Sequence, residues 1–231
     1  MRNVCITGAS RGIGLGFAEA YLAAGDTVFG AVRNPDGAGV QKLVASYPDR
    51  FVPVEMDVSD SESVAAAADT IRRSCDSLDL LINNAGVART PDEQRIEDIS
   101  EEDVRTVFEV NTLGPLRVLQ ALIPLLRKSD EAKVVMISSS AGSIASQRGG
   151  RGVPYCVSKA GLNMLTKLLY FHCKEDGVAI VALHPGWVHT DMGGAGALSV
   201  EESVSSMMKV IDGLTTESPA YVDYSGAELP W

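Results

Sequence analysis

Thr7-Gly8-Ala9-Ser10-Arg11-Gly12-Ile13-Gly14 stands between the apolar run Val4-Cys5-Ile6 and the stretch Leu15-Gly16-Phe17-Ala18-Glu19-Ala20-Tyr21-Leu22. The first run reads as a short strand, and the second carries helical periodicity. A strand that enters a helix through a glycine-rich turn gathers backbone N–H groups and the positive end of the helix dipole at one point. That point suits a phosphate, and glycines there let the main chain approach a pyrophosphate without an intervening Cβ. Gly8, Gly12 and Gly14 do not follow the G-x-G-x-x-G spacing. The turn therefore draws its weight from standing at the head of an alternating pattern.

That pattern continues along the chain. Apolar runs recur at 27–32, 51–56, 78–82, 134–137, 178–183 and, more weakly, 221–224. Helical patterns lie between most of them, at 12–22, 61–75, 101–128, 154–174 and 199–213. Strands alternating with helices imply βαβ units and a parallel sheet covered on both faces. The expected architecture is α/β: a Rossmann-type doubly wound parallel sheet of about seven strands, one catalytic domain over 1–231. Residues 37–39 read as a loop before a short helix, and Ser100 as a helix cap with Asp103 at the third position. Pro115 and Pro124 fall inside the pattern 101–128 and should kink or interrupt it.

Composition narrows the partners. The chain has 231 residues, 45% of them hydrophobic, which suits one α/β domain with a substantial core. A formal net charge of −10 argues against nucleic acid or an anionic membrane surface. It leaves an anionic cofactor open, because a glycine turn and a few arginines bind phosphate locally. No apolar stretch approaches the roughly 20 residues that span a bilayer, and the short charge patch near Met1 is no secretory signal. Cys5, Cys75, Cys156 and Cys173 form no C-x-x-C pair. Their usage fits a reducing cytoplasm, the expected location. His172, His184 and His189 form no cluster with carboxylates, so no metal site is expected.

Tyr155-Cys156-Val157-Ser158-Lys159 is the second informative stretch. On a helix, Tyr155 and Lys159 share one face. A free phenol titrates near about 10, and a neighbouring ammonium lowers that value toward the range where general acids work. Alone, such a pair is commonly no more than an amphipathic surface pair.

The motifs gain meaning together. Thr7 to Gly14, Asn83-Asn84-Ala85-Gly86, Asn111, Ser138-Ser139-Ser140, Tyr155-x-x-x-Lys159 and Pro185-Gly186-Trp187-Val188-His189-Thr190 occur in the order of the short-chain dehydrogenase/reductase family. From about residue 2 to 231 the chain is identified as a member. Leu183 to Gly194 and the ending Gly226 to Trp231 resemble the sniffer-type carbonyl reductases and the bacterial C-factor proteins.

The resemblance implies roles. Gly8, Ser10, Arg11, Gly12, Ile13 and Gly14 would form the dinucleotide turn. The second strand ends in Ala31-Val32-Arg33, with no acid to bind a ribose 2′-OH. Arg33 and Arg11 resemble the pattern that accepts a 2′-phosphate, so NADP(H) is expected over NAD(H); simple solvation of both arginines is the bland alternative. Asp57 and Val58 would meet the adenine, although Asp57 also suits a turn or cap. Asn84, Ala85 and Gly86 would line the cofactor, while Asn83 reads as structural. Pro185, Gly186, Val188 and Thr190 would hold the nicotinamide end.

Asn111, Ser139, Tyr155 and Lys159 would be the catalytic set. Tyr155 would give a proton to the alkoxide, with Lys159 lowering its pKa. Ser139 would polarise the carbonyl, and Asn111 would hold a water. The three serines leave the register open, with Ser139 the best match. Ser139 and Tyr155 lie further apart than is usual in the family, and the extra residues fall in the glycine-rich loop 147–154. Arg148 and Arg151 there are either solvated or poised for an anionic substrate. His184 reads as hydrogen-bonded within its loop.

The implied activity is hydride transfer between NADP(H) and a small-molecule carbonyl or secondary alcohol. The alternative is a dinucleotide-binding signalling or sensor protein with vestigial catalysis. Substrate would meet loops 87–95, 141–154 and 187–200, and the segment 191–199 would hinge as a lid on Gly193, Gly194, Gly196 and Ala197. The long helices would pair subunits into a homodimer or homotetramer.

Overall fold

The computed structural model describes residues 1–89 and 95–231. Residues 90–94 of the expected substrate loop 87–95 lie outside that description.

Seven apolar runs become seven strands: β1 Asn3–Thr7, β2 Thr27–Val32, β3 Phe51–Glu55, β4 Leu80–Asn83, β5 Lys133–Ile137, β6 Ala179–His184 and β7 Tyr221–Asp223. They form one sheet in the order β3-β2-β1-β4-β5-β6-β7, and every adjacent pair is parallel. The helices are α1 Gly12–Ala23, α2 Ala38–Ser46, α3 Ser61–Ser74, α4 Glu101–Phe108, α5 Gly114–Leu126, α6 Val153–Glu175 and α7 Val200–Asp212. The doubly wound architecture is the expected one.

Side-chain alternation explains why the strands are apolar throughout. In β1, Val4 and Ile6 join the core formed with Phe17 and Tyr21 of α1 and Met207 and Ile211 of α7. Cys5, between them, joins the opposite core with Ile71 of α3, Leu122 of α5 and Leu162 of α6. Burial pushes the Cys5 thiol up to about 12, so it is a small core residue and no nucleophile.

The strand order reverses between β1 and β4. Ligands of open α/β sheets bind outside the carboxyl ends of strands at such a switch point. The turn at 7–14 and the segment 83–86 meet there.

One expectation needs correcting. The pattern 101–128 is interrupted, but neither proline stops it. Ser100 accepts from the Asp103 N–H and starts α4 as expected. The break is a π-helical turn, Glu109–Leu113, that joins α4 to α5. Pro115 sits in the first turn of α5, where a missing N–H costs little, and Pro124 stays within the helix. Single π-turns inside helices frequently mark functional sites, and this one contains Asn111.

Candidate active site

The phosphate turn is braced from β4. The Thr7 hydroxyl accepts the Asn84 and Ala85 N–H groups, both at 3.0 Å. The Asn84 side-chain amide donates to the Thr7 and Gly8 carbonyls at 2.9 and 3.3 Å. A Cβ on Gly14 would collide with the Gly8 carbonyl oxygen and with Asn84 Nδ2. Gly14 therefore allows a helix, a turn and a neighbouring strand end to meet at one point. The main-chain N–H groups of Asn84 and Ala85 and the Asn84 side-chain amide are engaged in this bracing. Gly86 sits against the Asn111 side chain.

The start of α1 suits an anion. Arg11 precedes the helix without any side-chain capping bond, and no acidic residue occupies the first turn. The first N–H groups of an α-helix have no intrahelical partner, and the Arg11 side chain does not cap them. Ser10 is exposed, and Ile13 packs partly against the core. Arg33 is exposed at the end of β2. Next to it, hydrogen bonds from Ser59 hold the Asp57 carboxyl below the usual range, and the Arg33 charge acts in the same direction. The Val58 side chain faces Gly114, and its carbonyl accepts from Arg117 at 3.3 Å.

Tyr155 and Lys159 lie near the start of α6, with the lysine Nζ 5.6 Å from the phenol ring centroid. Lys159 is buried, donates to the Ile137 carbonyl at 2.7 Å, and is lowered by burial to about 8. The expectation that Lys159 pulls the phenol down is not met in this geometry. Burial raises the Tyr155 phenol, and a hydrogen bond with the Ser139 hydroxyl opposes the rise. The ammonium is directed to Ile137, which explains the difference.

Packing separates the three serines. Ser138 is buried and its hydroxyl donates to Asn163, whereas Ser140 is exposed. Of the three, Ser139 acts on the Tyr155 phenol, opposing the rise that burial causes, and its Oγ accepts the Ala141 N–H at 3.1 Å. With an Oγ lone pair so engaged, the hydroxyl proton remains to be donated. Asn111 is 1% exposed. Its Oδ1 accepts from the Val87 N–H, and its Nδ2 donates to the Val87 carbonyl and the Ser158 hydroxyl. The side chain thus ties the 83–87 segment to α6, which the sequence did not reveal.

At the end of β6, the Pro185 carbonyl accepts from Ser203 and Gly186 has φ +82. Val188 is buried and bridges to Leu198, and the His189 N–H donates to the Leu198 carbonyl at 2.8 Å. Thr190 accepts the Gly193 N–H on its hydroxyl and faces Gly12. Arg11 pairs with Asp191 at 3.3 Å across the cleft. The Trp187 indole N–H donates to the Gly193 carbonyl, leaving the side chain well exposed. Gly193 and Gly196 are not free hinges, because a Cβ on either would collide with the Val188 main chain. Of the expected hinge residues, Gly194 alone combines a φ of +58 with open space.

Arg148 folds onto its own loop, donating to the Ala145 and Gln147 carbonyls at 2.8 Å. His184 departs from expectation. Its buried Nδ1 has no hydrogen-bond partner among the described residues, and burial lowers its pKa against the pull of Asp223. It ends β6 in register with Asp223 of β7.

A glycine turn at a helix start without a side-chain cap, and a phenol, a serine and a buried lysine, stand at the carboxyl ends of one parallel sheet. The chain belongs to the short-chain dehydrogenase family, whose model matches residues 2–197. It is 42% identical over 156 residues to the C-signal protein of Myxococcus xanthus, covering 67% of this chain and 93% of that protein. Its structure resembles the NADPH-bound carbonyl reductase from chicken fatty liver, at 38% identity and a TM-score of 0.92 over 100% of this chain and 99% of that one. It also resembles the carbonyl reductase Sniffer of D. melanogaster, at 29% identity and a TM-score of 0.94 over 100% of both chains.

Proposed function

We propose that this chain is an NADPH-dependent carbonyl reductase, reversible as a secondary-alcohol dehydrogenase. The observation that carries the reading is the convergence of Ser139, Tyr155 and Lys159 opposite an uncapped helix start. The NADPH of the chicken relative supports the cofactor. So do residues of this chain: the exposed Arg33, the absence of an acid at the end of β2, and the close-packed glycine turn. In this reading the turn and the N–H groups of α1 hold the pyrophosphate, and Arg33 and Arg11 hold the 2′-phosphate. Asp57 and the Val58 N–H meet the adenine, and Gly86, Pro185, Gly186, Val188 and Thr190 line the nicotinamide side. When bound there, the nicotinamide would supply the hydride for the carbonyl carbon.

The chain manages the proton and the developing charge. Ser139 donates its hydroxyl proton as a hydrogen bond to the carbonyl oxygen as negative charge grows there. Tyr155 transfers its phenolic proton to that oxygen, leaving a phenolate. Lys159 has three N–H donors and spends one on Ile137, so two remain for the nicotinamide ribose and for a water. A lysine brought to about 8 exchanges protons near neutrality. The water-holding group at Asn111 is its main-chain carbonyl, because the side chain is engaged. Pro115 has no N–H to give that carbonyl four residues upstream.

The test is twofold. NADPH should bind far more tightly than NADH in parallel titrations of nicotinamide fluorescence, and a carbonyl panel should then show NADPH oxidation. Tyr155→Phe should lower kcat by at least about 100-fold. An unchanged rate would remove Tyr155 as the acid. Tight NADPH binding with no turnover of any carbonyl would favour the signalling alternative. The exposed row Val157, Met164, Leu168 and Phe171 along α6 supports pairing of subunits on that face. Sedimentation equilibrium at micromolar protein should show a homodimer or homotetramer, and a monomer would end that part of the reading.

A further inference from the structure

Tyr221 and Trp231 take no part in the chemistry above, yet both grip the segment that carries Ser139. Tyr221 lies on β7 at the edge of the sheet and is 1% exposed. Its hydroxyl donates to the Ser139 carbonyl at 2.8 Å. The Trp231 ring packs on the Tyr221 ring, with centroids 5.1 Å apart, and the Lys167 ammonium lies 5.2 Å from the same indole. The Trp231 carbonyl accepts the Ala145 N–H at 2.9 Å.

Residues 221–231 therefore hold the segment 139–145 near both of its ends. The span is itself folded back, with Leu229 donating to the Tyr221 carbonyl and Asp223 to the Ala227 carbonyl. Ser139 is held at two atoms: its carbonyl accepts from the Tyr221 hydroxyl and from the Gly142 N–H at 2.9 Å, and its Oγ accepts the Ala141 N–H. A catalytic donor must be held to within about 0.5 Å of its productive geometry. The Tyr221 hydroxyl adds a tie on that carbonyl from outside the short 3-10 turn at Ser140–Gly142.

We infer that Tyr221 and Trp231 are positioning residues that clasp the Ser139 segment and set the direction of its hydroxyl toward the reacting carbonyl. The inference rests on the reading of Ser139 as the polarising donor. It assigns a role in the reaction to the edge strand and to the segment 226–231.

Tyr221→Phe keeps the ring and deletes the donor. With the full chain, we expect hydrogen exchange of the 139–146 amides to quicken about 10-fold. Exchange elsewhere and the NADPH affinity should stay within about two-fold. Carbonyl reduction should lose about 10-fold in kcat, with a smaller change in KM, because the donor matters most as charge develops. Trp231→Ala keeps the carbonyl that Ala145 uses and should give the same pattern more weakly. Unchanged exchange at 139–146 in Tyr221→Phe would overturn the clasp, and so would quickened exchange with wild-type kcat. Ser139→Ala, measured alongside, separates the two levels. If it is inactive while Tyr221→Phe is normal, only the clasp fails; if it is fully active, the role of Ser139 fails and the inference falls with it.

Discussion

The turn at 7–14 and the loop at 187–198 are both glycine-rich and close over the same end of the sheet, yet their glycines answer to different neighbours. In the turn, Gly14 makes room for Gly8 and for Asn84 of a separate strand end. In the loop, Gly193 and Gly196 make room for Val188, a few residues away in the same segment. The turn is thus part of the core's own packing, whereas the loop is a small knot folded largely on itself. Its ties to the turn are an exposed ion pair, Arg11 to Asp191, and the contact of Thr190 with Gly12. Glycine content alone does not distinguish a hinge from a close approach. If this loop moves over substrate, the movement belongs to its ends and to Gly194.

The comparison breaks most visibly at Gly14. Gly14→Ala should remove about 3 kcal/mol of global stability by overpacking against backbone, read as a fall of roughly 6–12 °C in Tm. NADPH binding should fall by more than about 100-fold with it, since the phosphate site is displaced. A Tm at the wild-type value would show that the turn is not cooperative with the core.

Lys159 gauges the other side of the cleft. Its folded pKa, about 8, lies below the usual lysine value, so between pH 8 and 10.5 the unfolded chain binds more protons than the folded one. This group's contribution therefore rises with pH across that window, and its penalty is complete below pH 8. Lys159→Met should be inactive yet more stable than wild type at pH 7 by about 2 kcal/mol, offset in part by loss of the Ile137 hydrogen bond. The gap should narrow as pH rises from 8 to 10.5 in urea titrations. A gap that widens over that range would have the sign wrong.

Gly196→Ala is the direct counterpart of Gly14→Ala. The collision is as severe, but the fault should stay local, with Tm within about 2 °C of wild type. Limited proteolysis should then cut within 187–199 much faster. Global destabilisation as large as that of Gly14→Ala would erase the distinction between the two segments. The smallest effect belongs to the ion pair. Asp191→Asn should change stability by no more than about 0.5 kcal/mol. By freeing Arg11 for phosphate it should tighten NADPH binding by about two-fold, an advantage that fades in high salt. Weaker binding would mean that Asp191 helps the cofactor.

Periodicity and spacing determined most of the architecture. Residues that alternate or recur every three to four positions carry their own instruction, because strand and helix geometry are local. The strand–glycine turn–helix at 3–23 and the shared helix face of Tyr155 and Lys159 were legible for the same reason, since each lies within one short stretch. Tertiary structure alone decided which serine faces Tyr155, since three identical residues differ only in what packs around them. It turned the Asn84 and Asn111 amides inward and directed Lys159 to Ile137. It folded the 187–198 loop on itself and brought Tyr221 onto Ser139 from 82 positions away. Side-chain partners supplied by distant strands leave no period in the sequence, and a hydrogen bond between them exists only once the sheet has been assembled.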